Sequence, residues 1–151
     1  MEAATIAEFK KELKHLDAAA LREVVLTLAR YKKENKELLT YLLFESFDEQ
    51  AFIDQINTEV DVMFADINTT SYYYMKKSVR KIIRHIRKHI RYSKQPETEA
   101  ALWQDFLNKM TQMRPTFQKD KVLINIYERQ HQAFVKALDK MHPDQRADFE
   151  M

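Results

Sequence analysis

The sequence predicts an all-α fold of antiparallel helix pairs, with six or seven helices forming a bundle or a short α-α superhelix. Three observations carry this. The 151 residues contain no glycine, the default residue wherever a backbone takes a positive φ. They contain three prolines and no Asn-Gly or Asp-Gly pair to turn a hairpin. Apolar residues recur at three- and four-residue spacing along most of the chain, the period of a buried helix face.

The same composition narrows the chemistry. Without cysteine there are no disulfides, no thiol catalysis and no Cys-ligated zinc. Without glycine there is no phosphate-cradling loop, dinucleotide fingerprint or nucleophile elbow. The length predicts one domain over residues 1–151. The opening MEAATIAEFKKELKHL has neither the basic start nor the apolar core of a signal peptide, and no apolar run approaches the roughly 18 residues of a membrane span. The expectation is a cytoplasmic protein with no membrane contact.

Taken in order, Thr5 with Glu8 three residues on is a capping-box pattern, and Ile6, Phe9, Leu13 and Leu16 give the first amphipathic helix. Asp17 is placed to cap a second helix carrying Leu21, Val24, Val25, Leu28 and Tyr31. A charged KKENKE patch, with Asn35 as a candidate cap, leads to a third helix around 38–47. This opening third, FKKELKHLDAAALREVVLTLARYKKENKELLTYLLF, resembles the start of uncharacterised bacterial all-helical proteins with recurring leucine-spaced helix pairs. That resemblance implies helical pairing and carries no functional residue.

The segment DEQAFIDQINTEVDVMFADIN, residues 48–68, holds six acids and no base. It reads as a helix with Phe52, Ile56, Val60, Met63 and Ile67 inward, and with Asp48, Gln55, Glu59 and Asp66 beside that face. A short polar link then predicts a hairpin with the next helix, at the centre of the fold. After it, Pro96 marks a first-turn position with Glu97 and Glu99 beside the positive helix end, and Trp103, Phe106, Leu107 and Met110 follow at core spacing. Pro115 is read as opening the last helix, Pro143 as ending it, and residues 143–151 as a frayed tail or a short extra turn.

The functional signal lies in residues 71–94, SYYYMKKSVRKIIRHIRKHIRYSK. Nine of the chain's 25 basic residues fall here with no acid, which leaves 16 against 23 elsewhere. At about 100° per residue, Met75, Val79, Ile82, Ile83, Ile86 and Ile90 form the buried stripe. Lys76, Arg80, Arg87 and Arg91 are expected to face the acidic helix before it. Lys77, Lys81, Arg84 and Lys88 are expected to stay exposed and bind. Tyr74, Ser78, His85, His89 and Tyr92 form a third row, read as the wet rim of the core or of a small pocket.

This pattern predicts a non-enzymatic interaction module whose basic face takes an acidic protein surface or the acidic helix of a second copy. Phosphate-backbone binding by the same face is the alternative, since the Tyr72, Tyr73 and Tyr74 cluster can stack on bases. A pI near 8.7 and a net charge of +2 fall short of a dedicated nucleic-acid binder. His85 and His89 have the i, i+4 spacing of metal ligands, but no carboxylate lies in the basic segment and Arg84, Arg87 and Lys88 repel a cation. They are therefore read as hydrogen-bonded to a neighbouring helix, with no metal and no cofactor. Two Glu-x-x-His pairs, Glu12 with His15 and Glu128 with His131, point away from their apolar stripes, against a di-iron site. Ser46, Ser71, Ser78 and Ser93 lie in no turn that would present a nucleophile.

Overall fold

A computed structural model describes residues 1–149, which form eight α-helices and no strand. Lys32, with φ −140°, separates the second helix from the third, which gives the upper expected count of seven, and the eighth is a short helix formed by the tail. The chain gathers into two compact units, Met1–Leu43 and the remainder from Phe44 onward.

The first unit comprises α1 (Ile6–Leu13), α2 (Ala18–Tyr31) and α3 (Lys33–Thr40). The Thr5 capping box is complete: the hydroxyl accepts from the Glu8 N–H at 3.2 Å and the Glu8 carboxylate accepts from the Thr5 N–H at 2.6 Å. The Thr5 N–H bond to the ionised carboxylate, with a smaller contribution from the Thr5 side chain, holds Glu8 below the usual range. Asp17 caps α2 through the Ala20 N–H at 2.8 Å. Asn35 does not start α3. Its amide donates at 2.6 Å to the carbonyl of Leu28, covering an orphan acceptor at the end of α2. The expected third helix over 38–47 is corrected as well: α3 starts at Lys33, and a π-helical segment, Tyr41–Glu45, follows it across the unit boundary.

The second unit comprises α4 (Glu49–Ala65), α5 (Tyr72–Ser93), α6 (Pro96–Thr111), α7 (Lys121–Asp139) and α8 (Pro143–Arg146). Its middle is α6 rather than the predicted α4–α5 hairpin. Helix α6 packs on α4, α5 and α7, and buries Thr98, Ala100, Leu102, Trp103, Phe106, Leu107 and Met110. Such a wide apolar arc needs neighbours on several sides, whereas the basic face of α5 cannot be enclosed. Lys109 ties α6 to α4 through Asp61, with Asp105 of its own helix as second partner.

Two further boundaries differ from expectation. Pro115 lies outside α7, which starts six residues later behind Asp120, whose carboxylate accepts the Leu123 N–H at 3.0 Å. That bond, with Lys76 nearby, holds Asp120 below the usual carboxylate range. The tail folds back: Phe149, in a 3₁₀ turn (Ala147–Phe149) after α8, packs edge-on against Phe134 beside Ala100, Ala137 and Met141. Residues 150–151 of the predicted frayed tail lie outside the described residues. Among the described residues, no helix is long and apolar enough to cross a membrane.

Candidate functional site

Helix α5 places different chemistry on two of its flanks. Its inner face is as predicted, with Met75, Val79, Ile82, Ile83 and Ile86 buried and Ile90 half-buried. Ser71 starts the helix by accepting from the Tyr74 N–H at 3.4 Å. Lys94 ends it in the left-handed region, φ 59°, with its N–H on the Ile90 carbonyl at 2.8 Å. That conformation ordinarily falls to glycine, and this chain has none.

The third row faces α4 rather than water. Asn68, just after α4, donates its N–H to Ser78 at 3.4 Å, and Ser93, at the end of α5, donates to Glu49, at the start of α4, at 2.9 Å. Between them His85 Nε2 meets the Glu59 carboxylate at 2.8 Å. His89 is buried against Phe52 and Tyr92, its Nδ1 2.8 Å from the His85 carbonyl. Burial holds the His89 pKa below the ordinary histidine value, against a smaller opposing effect of that carbonyl. Of the predicted rim, Tyr74 alone is exposed, while Ser78 and His85 are half-buried and His89 and Tyr92 are buried. The row is thus largely interior.

The charged flank turns the other way. Arg80, Arg87 and Arg91, expected against the acids of α4, face α7 instead, and Lys76 pairs with Asp120 at 3.5 Å rather than with α4. A helical projection orders the faces of one helix but does not say which neighbour lies on which flank. Two adjoining cavities of about 370 and 300 Å³ run along this α5–α7 seam and share Arg87, Arg129 and Gln130. Together they are lined by Arg80, Arg84, Arg87, Arg91, Arg129 and Lys136, with Glu99 the one acid among the described residues of the lining. Among the described residues these six cations form no ion pair. The floor is polar: Gln130 is 1% exposed and its Oε1 has no hydrogen-bond partner, and the buried Trp103 Nε1 has none.

Of the four residues predicted to bind, only Arg84 lines this groove. Lys77 and Lys81 are exposed further round, with Lys77 Nζ 4.7 Å from the centre of the Tyr73 ring. Lys88 is half-buried rather than exposed. Arg129, Gln130 and Lys136 were missed because α7 carries little net charge and nothing local aims them at α5. Glu12, His15, Glu128 and His131 are all exposed, and His15 lies in the turn beyond the end of α1.

Comparison with known proteins finds no matching family model, no matching curated protein and no matching solved structure.

Proposed function

We propose that the protein is a non-enzymatic binding module, built in our reading from antiparallel helix pairs, and that its α5–α7 groove takes an acidic, extended segment of a partner protein. One observation carries the proposal: six basic side chains line a continuous groove with a single acid among them and no ion pair of their own. Like charges left together raise the local potential and steer an anionic partner into place. Four of the six are arginines of α5, whose planar guanidinium groups hold carboxylates through two parallel bonds. At 1.5 Å per residue Arg80 and Arg91 stand about 16 Å apart, the span of about five extended residues. The chain's net charge of only +2 favours a peptide over a nucleic-acid backbone.

A second reading, binding of a single-stranded nucleic-acid backbone, is favoured by Tyr73. This exposed ring stands seven residues before Arg80, on the same line of the helix, edge to face with Tyr74, and could stack on a base.

Fluorescence anisotropy with a labelled Glu/Asp-rich peptide and a labelled single-stranded oligonucleotide separates the two, at low and near-physiological salt. The peptide is expected to bind, at least tenfold more weakly to the folded variant Arg80→Gln/Arg87→Gln/Arg91→Gln and nearly unchanged to Lys77→Gln/Lys81→Gln. Tighter oligonucleotide binding with a steep salt dependence would install the second reading. Sedimentation that reports concentration-dependent dimers, abolished by the arginine variant, would make a second copy the partner. No binding and no self-association at low salt would end the proposal.

A further inference from the structure

The opposite flank of α5 carries a separate cluster. Glu59 on α4 and His85 and His89 on α5 each offer a ligand atom within 4.8 Å of the other two. The sequence supplied the histidine pair but not the carboxylate, which reaches it from another helix. We infer that these three residues form a binding site for one divalent transition-metal ion of the zinc class.

The chemistry of the nitrogens carries the inference. The His85 carbonyl can only accept, so His89 Nδ1 must donate to it at 2.8 Å. In the neutral ring this leaves the lone pair on Nε2, for which the described residues provide no hydrogen-bond donor. An imidazole fixed by an Nδ1–H bond to a carbonyl, with Nε2 open, is the orientation in which histidine ligates metals. His85 Nε2 and the Glu59 carboxylate are hydrogen-bonded at 2.8 Å, and an ion entering between them displaces the proton of that bond to solvent. Bonds of about 2.0–2.2 Å to an ion place its ligands about 3.4 Å apart. To reach that distance the 2.8 Å His85–Glu59 contact opens and any longer separation within the 4.8 Å cluster closes, movements that the 42% exposed Glu59 side chain and the half-buried His85 can make.

Two imidazoles and one carboxylate match zinc and its first-row neighbours rather than magnesium or calcium, which take oxygen. The exposed edge leaves a fourth position to water. Of the cations that argued against a metal in the sequence, Arg84 and Arg87 line the groove on the α7 side. Lys88 remains beside His89, and the Glu59 carboxylate offsets its charge.

The test uses Co²⁺ and Zn²⁺ on the full chain freed of metal by chelator. Cobalt is expected to bind one-to-one with the visible absorption of a low-coordinate site, and zinc to displace it. Glu59→Gln and His85→Ala, each verified as folded by circular dichroism, are expected to weaken binding at least tenfold, whereas His131→Ala leaves it unchanged. Absence of the cobalt spectrum, or titrations that both variants leave intact, would overturn the site and leave a hydrogen-bonded pair only. Since these readouts involve no arginine of the groove, they stand or fall independently of polyanion binding.

Discussion

The two units of this chain follow the same helical grammar and arrive at different degrees of burial. In residues 1–43 the apolar positions of α1 and α2 have regular amphipathic spacing, yet Ile6 is 70% exposed, Phe9 48% and Leu28 58%, and the buried apolar residues are Ala29 and Tyr41. From Phe44 onward the same spacing encloses Met75, Phe106, Met110 and Leu123 completely. The difference lies in how many helices meet. Helix α6 has three packing neighbours, each of sixteen or more residues, whereas α1 and α3 are eight-residue helices of about two turns. An apolar stripe tells a helix which side to bury, and length and partners decide how much is buried.

The largest expected effect tests this contrast directly. Phe106→Ala should cost about 3–5 kcal/mol, lowering the thermal midpoint followed by circular dichroism. Phe9→Ala, at an exposed position of similar spacing, should change stability by less than about 0.5 kcal/mol. Equal losses at the two sites would mean that the exposed face of α1 is covered in solution.

A second prediction separates packing from charge within the larger unit. Lys109 holds Asp61 and Asp105 together at the α4–α6 contact, so Lys109→Ala should cost about 1 kcal/mol, since water can take over part of the solvation of the two carboxylates. Adding Asp61→Asn to the variant should recover part of that loss, and a double-mutant cycle in chemical denaturation reads the coupling.

The smallest effect has the opposite sign. Lys94→Gly relieves a left-handed residue at the end of α5 and should stabilise the protein by about 0.5–1 kcal/mol, seen as a higher denaturant midpoint. A loss instead would show that the lysine side chain contributes more than its backbone conformation costs.

Local features were legible in the sequence because their physics is local. The Thr5 capping box, the Asp17 cap and Pro96 at the first position of α6 involve residues at most a few positions apart, and all are present. The start of α7 was misplaced at Pro115 because a proline permits a helix start without requiring one, while Asp120 supplies the bond that starts it. The inner stripe of α5 was legible from its period, but the burial of His89 and Tyr92 was not, since a polar tip looks the same whether it meets water or a partner helix.

The sequence by itself determined an all-helical chain, the basic character of α5, and the division of that helix into an apolar stripe, a charged flank and a histidine-bearing row. Only the tertiary structure decided that the charged flank meets Arg129 and Lys136 across a groove while the histidine row meets Glu59. Periodicity follows from the backbone of one helix and is written in adjacent residues. Which two flanks come together depends on the packing of side chains far apart in the chain, as with Glu59 and His85, 26 positions apart, and no local pattern encodes that choice.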